Sequence, residues 1–74
     1  MMQLTFDSDE LYEKIETCEQ LYENATRGLV KLSPVHHSAY QHILSIKTRL
    51  ETYKPTTVSL DDHDIEAMER LWSI

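Results

Sequence analysis

Glycine, proline and cysteine are scarce in this sequence, and each shortage excludes something. One glycine and two prolines in 74 residues argue against a loop-rich or β-rich fold. The single cysteine, Cys18, cannot form an intrachain disulfide, which predicts a reducing compartment and a cytoplasmic location. No apolar run reaches the roughly 18 residues that a membrane span requires, and no signal-peptide pattern is visible. We therefore expect no membrane partner.

Basic residues are also few. The chain has 7 basic and 13 acidic residues, for a formal net charge of -6. Nucleic-acid-binding domains need a basic stripe that neutralises phosphates, so this composition predicts no nucleic-acid partner. An acidic balance instead favours basic protein partners or mimicry of nucleic-acid charge.

Residues 11–53 carry the pattern that organises the chain, an antiparallel helical hairpin folded about Ser33-Pro34. Apolar or small side chains recur at spacings of three and four in both arms, which is the narrow seam of helices packed at a shallow angle. The seam positions are Leu11, Ile15, Cys18, Tyr22, Ala25, Leu29 and Leu32 in the first arm, and His36, Ala39, Ile43, Ile46, Leu50 and Tyr53 in the second.

The two seams match each other in reverse order, as an antiparallel hairpin requires. Ala25 is expected opposite Ile43 and Cys18 opposite Leu50, and Leu29 is expected opposite Ala39. Small residues facing large ones let the two layers interdigitate. Lys47 and two further cations near the end of the second arm would lie beside the acidic start of the first, where ion pairs across the hairpin are possible.

The sequence predicts a single all-α domain over residues 1–74, an antiparallel helical hairpin plus a shorter C-terminal helix. Helix 1 is expected at about 8–31, helix 2 at about 34–54, a linker at 55–58 and helix 3 at about 60–73. The start signals are Asp7 or Ser8 for the first helix, Ser33-Pro34 for the second, and Asp61, flanked by Leu60 and Ile65, for the third. Residues 1–7 are compatible with a frayed end, a short strand or an arm that orders on a partner.

No pattern of catalytic or metal-binding residues is visible. The sequence has no glycine-rich phosphate loop and no nucleophile elbow, and His36, His37 and His42 do not share the spacing of zinc-binding pairs. The aspartates around His63 are those expected at a helix N-terminus. We therefore predict no enzymatic activity, no catalytic residue, no metal site and no cofactor.

Apolar residues outside the seam are the candidate functional residues. They cover the second face of the hairpin or bind a partner, either another protein or another copy of the chain. The predicted partner-binding residues are Tyr12, Leu21, Tyr40, Leu44, Met68 and Trp72.

The hairpin proportions, Pro34 at the start of the second arm, the run Tyr40-Gln41-His42-Ile43 and the later Leu50-Glu51 together resemble the small co-chaperones of type III secretion needle subunits. The resemblance covers about residues 11–53, and the tail from Pro55 to Ile74 departs from it. It implies a short hairpin that pairs with a larger helical-repeat chaperone and with it keeps a needle protein unpolymerised.

Three functions from different classes are compatible with the sequence. The first is a protein-binding adaptor or co-chaperone with a larger helical partner. The second is a small acidic inhibitor, encoded by a phage or a bacterium, that blocks a basic site on an enzyme. The third is an oligomeric sponge for a small ligand or nucleotide, with Lys47, Arg49 or the histidines as anion contacts.

Overall fold

Three helices and a two-stranded antiparallel sheet make up the fold. The structure is a computed structural model that describes residues 4–28 and 31–74. Strand β1 is Leu4–Asp7, helix α1 is Ser8–Arg27, helix α2 is Pro34–Tyr53, strand β2 is Thr57–Leu60 and helix α3 is Asp62–Trp72. The helical hairpin and the shorter third helix are present. The prediction of a purely all-α protein is wrong, because β1 and β2 pair.

The helices begin and end at residues that favour those ends. The Asp7 side chain accepts a hydrogen bond from the Asp9 backbone N–H, and Ser33 precedes Pro34 at the start of α2. Helix α1 ends before Gly28, four residues earlier than the predicted end at 31. Helix α2 is followed by Lys54, which adopts the left-handed conformation with φ of 48° and turns the chain toward β2.

Strand β2 covers the second half of the predicted linker at 55–58 and extends to Leu60, where helix 3 was expected to begin. Thr57–Leu60 pairs with Leu4–Asp7, with Phe6 opposite Val58 and Leu4 opposite Leu60. Four-residue strands are too short to show a reliable alternation of apolar and polar residues, so the pairing depends on tertiary contacts. Leu60 is fully buried and joins the core, which anchors the sheet to the helices.

The hairpin seam is largely present and forms one wall of the core. Its buried members are Leu11, Ile15, Cys18 and Ala25 in α1, and Ala39, Ile43, Ile46 and Leu50 in α2. Leu29 and Val30 lie outside the described residues, so the expected pairing of Leu29 with Ala39 does too. Tyr53 does not belong to the seam, since 76% of its surface is exposed. The core cluster also includes Leu60 of β2 and Leu71 of α3, two residues that lie outside the hairpin pattern.

Helix α3 folds back and packs against both α1 and α2. Ala67, Met68 and Leu71 are buried, and the Cys18 thiol lies 3.8 Å from the Met68 carbonyl oxygen. Burial raises the pKa of the Cys18 thiol to about 11. Cys18 is therefore a small core residue held as the thiol.

Asp64 connects the start of α3 to α2. Its carboxylate accepts hydrogen bonds from the Asp61 backbone N–H and from His42 Nε2, at 3.2 and 2.5 Å. In return, the Asp61 carboxylate accepts from the Asp64 backbone N–H at 3.0 Å, and this bond lowers the pKa of Asp61. One buried carboxylate thus both completes the cap of α3 and holds that helix against α2.

We expect Asp64→Ala to lower the free energy of unfolding by about 0.5–2 kcal/mol, because it removes the acceptor of His42 and of the Asp61 backbone N–H, one half of the reciprocal cap of α3. Urea denaturation followed by circular dichroism measures the change. Glu69→Gln, which removes a carboxylate from the exposed side of α3, is the matched control. Equal stability of the two variants would contradict the role given to Asp64.

The Cys18 thiol should resist alkylation in the folded protein. Only the thiolate reacts, and a buried thiol with a pKa of about 11 forms little of it at pH 8. We expect iodoacetamide to modify Cys18 in 8 M urea, at about the rate of a free thiol, and far more slowly in buffer, as measured by mass spectrometry. Similar rates in the two conditions would show that the core opens readily around Cys18.

Candidate functional site

A cluster of tyrosines crosses the outer side of the α1–α2 hairpin. It comprises Tyr12 and Tyr22 of α1 and Tyr40 and Leu44 of α2, all half-buried. Helical spacing places this cluster away from Cys18 and His42, whose contacts are with α3. We call the surface formed by these four residues the tyrosine face.

The centre of the tyrosine face is an aromatic stack. The rings of Tyr22 and Tyr40 are nearly parallel, with centroids 3.9 Å apart and planes 9° apart. The Tyr22 hydroxyl is also 2.5 Å from His37 Nδ1, and the His37 ring meets Tyr22 edge-on. Stacking and hydrogen bonding together fix the rings, because each partner holds the other in one rotamer.

An ion pair between the helices continues the face toward Tyr12. Lys47 Nζ is 2.8 Å from Glu19 Oε1, and both side chains are mostly removed from solvent. The hydrogen bond that Lys47 donates to the Glu19 carboxylate raises the pKa of Lys47. Lys47 also lies 5.4 Å from the centre of the Tyr12 ring, whose hydroxyl donates to Glu51 at 3.1 Å. The expectation of ion pairs across the hairpin is confirmed at Lys47.

The hydroxyls of Tyr12 and Tyr40 are held in the protonated form by their surroundings. Burial raises the pKa of Tyr12, and the hydrogen bond to Glu51 raises it further. Burial also raises the pKa of Tyr40, with added repulsion from Glu19 and Glu23. At neutral pH the face therefore offers neutral phenols beside carboxylates.

The structure brings together only some of the residues predicted to bind a partner. Tyr12, Tyr40 and Leu44 share the tyrosine face, whereas Leu21 is half-buried on another side of α1. Met68 is buried in the core and lies apart from that face, so its assignment to a partner surface gains no support. The reason is that α3 turns Met68 inward and leaves Trp72 at the rim, half exposed and 5.9 Å from Lys14 Nζ.

Sequence reasoning missed Tyr22 as a surface residue by placing it in the seam. The signal was its hydroxyl, which needs a hydrogen-bond partner that a narrow apolar seam does not supply. The structure provides that partner in His37, at the outer edge of the hairpin.

A second surface lies between α2 and α3, on the opposite side of α2. Its groove, of about 770 Å³, has an apolar wall that includes Val35, Ala39 and Ala67. Its polar side chains are largely engaged with each other, since His42 binds Asp64 and Arg70 pairs with Glu66. Within residues 4–28 and 31–74, no group of three His, Cys, Asp or Glu side chains is arranged to hold a metal ion.

Comparison with known proteins supplies no relative. No protein-family model matches the chain, and no curated protein and no solved structure is significantly similar to it. Across the part of the chain that is described, no helix has both the length and the apolar character to cross a bilayer.

The tyrosine face should lose stability in alkali. Lys47, Tyr12 and Tyr40 all have a raised pKa in the folded state, so their stabilising contribution is complete below the ordinary values of 10.5 and 10.0. It is lost as pH rises through the folded values, because the unfolded chain then releases protons more readily. We expect the free energy of unfolding, measured with urea, to fall between about pH 9.5 and 11.5.

The double variant Tyr12→Phe, Tyr40→Phe is the control for that experiment. It keeps the rings and removes the two phenols, so its stability should fall less steeply over the same pH range. Identical slopes for the variant and the wild type would mean that these hydroxyls do not titrate differently in the folded protein.

Proposed function

We propose that the protein is a non-catalytic protein-binding module that uses the tyrosine face to dock on a larger helical protein. The observation that carries the proposal is the ordered Tyr22–Tyr40 stack on the outer side of the hairpin, one helical turn from Leu44. Tyrosine is among the residues most enriched at the centres of protein interfaces, because it combines apolar area with a polar tip.

The internal contacts of the face favour binding. A partner that meets rings already held by stacking and by the His37 contact does not have to immobilise them, so less conformational entropy is lost on association. The Lys47–Glu19 and Tyr12–Glu51 contacts order the other end of the face in the same way.

The charges around the face indicate what kind of partner fits. A shallow depression next to the tyrosines is lined by Glu16, Glu19, Gln20, Glu23 and Lys47. Its one cation, Lys47, is already paired with Glu19. The remaining carboxylates make the rim acidic, so the complementary partner carries basic residues around an apolar stripe on its own helices.

Two specific forms of this role follow. In the first, suggested by the resemblance to type III secretion co-chaperones, the partner is a helical-repeat chaperone and the apolar contact dominates. In the second, the partner is an enzyme with a basic groove, and the acidic rim dominates. The ligand-sponge alternative gains no support from Lys47, because Glu19 already neutralises its charge.

The test compares three forms of the tagged protein in quantitative affinity capture from its native lysate. Leu44→Asp places a charge in the tyrosine face, and Val35→Asp places the same charge on a 44% exposed valine of the same helix, in the α2–α3 groove. We expect one partner to be retained by the wild type and by Val35→Asp. Leu44→Asp should weaken its binding at least about tenfold, the loss of one central interface contact.

Circular dichroism of both variants verifies that the helices are intact. Equal capture by the two variants would exclude the tyrosine face as the docking surface. Repeating the measurement with the purified partner from about 0.05 to 0.5 M salt then separates the two forms, because charge-driven binding weakens steeply and apolar docking does not.

A further inference from the structure

We propose that the groove between β2 and the C-terminal half of α2 binds an extended, acidic peptide segment of another protein, which adds to the sheet as a third strand. This site is separate from the tyrosine face, and the proposal does not depend on the function of that face. The partner is expected to be extended, because unpaired backbone groups of β2 line the groove.

The register of the sheet shows which backbone groups of β2 are free. The Ser8 N–H donates to the Thr56 carbonyl, so residues 8 and 56 form a hydrogen-bonded pair just beyond the strands. In an antiparallel ladder such pairs alternate, so Phe6–Val58 and Leu4–Leu60 are the next hydrogen-bonded pairs. The N–H and C=O groups of Thr57 and Ser59 therefore point to the other edge of β2.

Within the described residues, that other edge has no strand beside it, since the sheet contains only β1 and β2. An unpaired edge presents donors and acceptors at the spacing of an incoming strand. Strand addition of this kind derives its affinity from main-chain hydrogen bonds and its specificity from side-chain pockets along the groove.

Helix α2 does not pack directly against this edge. No Cα atom of β2 lies within 8 Å of a Cα atom of α2. A strand hydrogen-bonded to β2 would lie about 4.8 Å from it, closer to β2 than any Cα atom of α2 lies. The groove, of about 300 Å³, is lined by Ile46, Leu50 and Tyr53 of α2 on one side and by Thr57, Val58 and Ser59 on the other.

The charge that lines the groove is opposite to the charge at the rim of the tyrosine face. The chain carries 13 acidic residues, yet the lining of the groove contains Arg49 and no carboxylate. Within residues 4–28 and 31–74, Arg49 makes no hydrogen bond or ion pair with any other residue. A guanidinium group beside a free strand edge favours a segment that carries carboxylates.

The apolar lining of the groove indicates which other residues the peptide segment should contain. Tyr53 is 76% exposed beside the buried Leu50, so an aliphatic side chain pointing from the added strand toward α2 would cover its ring. Alternate residues of a strand point to opposite sides. The expected segment therefore alternates aliphatic residues with polar ones and includes at least one acidic residue.

The experiment begins with a random twelve-residue peptide library displayed on phage and selected against the full-length protein. We expect enrichment of peptides that alternate aliphatic and acidic or hydroxyl residues. The best synthetic peptide is then added to the ¹⁵N-labelled protein, and amide hydrogen exchange is followed by NMR.

The exchange pattern tests the register directly. Exchange at Thr57 and Ser59 should slow at least about tenfold when the peptide is bound, because these amides gain hydrogen-bond partners. The Val58 and Leu60 amides already face β1 and should change much less. Protection spread evenly over β2, or confined to the tyrosine face, would overturn the proposal.

Two variants and two controls complete the test. Arg49→Gln should weaken the selected peptide about tenfold, the typical contribution of a charge-assisted hydrogen bond. Ser59→Pro removes a donor that β1 does not use and should abolish binding. Arg27→Gln, which removes an exposed arginine on α1, and Leu44→Asp, on the tyrosine face, should bind the peptide like the wild type.

The proposal is wrong if no peptide is enriched, or if the selected peptides bind Arg49→Gln as tightly as the wild type. It is also wrong if light scattering shows a dimer that Ser59→Pro dissociates, because a second copy then occupies this edge. Should Ser59→Pro fail to fold, as judged by circular dichroism, the exchange pattern and Arg49→Gln still decide the outcome.

Discussion

One buried cluster, shared by all three helices and β2, is the interaction on which the structure depends. A chain of 74 residues cannot build two cores, so each element has to bury its apolar side chains against the same few neighbours. Close approach of three helices is possible because the contact positions include small residues, Cys18, Ala39 and Ala67, among larger ones such as Ile43 and Leu71. The free energy gained at this cluster stabilises the sheet as well, since two four-residue strands are not stable on their own.

The way the core closes determines which surfaces are left. Helix α3 and the sheet cover one side of the hairpin, and the other side retains the half-buried tyrosines and Leu44. On the covered side, β2 meets the helices through Leu60 but does not approach α2, which leaves the groove lined by Arg49. Both candidate surfaces thus exist because the core is too small to bury all of the apolar side chains of the hairpin and of β2.

Helical periodicity and capping residues were enough to predict most of the fold. The seam is strong because eight of its positions are buried, from Leu11 to Leu50, and Ser33-Pro34 and Asp61 are local start signals that need no tertiary information. The sheet was not predictable, because β1 and β2 lie more than 50 residues apart at Leu4 and Leu60 and gain their stability from the core. Tyr53 was misplaced in the seam for a related reason, since the pattern of one hairpin does not show where the other elements pack.

The sequence predicted which face of its own helix each site residue occupies, but not the contacts between helices. Tyr12, Tyr40 and Leu44 fall outside the seam by spacing alone, and the structure places them on one surface. Tyr22, Glu19 and Lys47 could not be added from sequence, because their roles arise from contacts between helices.

Charge is the feature that separates the two surfaces. The net charge of -6 describes the whole chain and suggests one acidic surface. The structure instead pairs Lys47 with Glu19 on the tyrosine face, which leaves that rim acidic, and isolates Arg49 in a groove without carboxylates. A basic helical surface and an acidic extended segment would each be attracted to one site and repelled by, or indifferent to, the other. The two proposed surfaces therefore differ in the charge of the partner that each would attract.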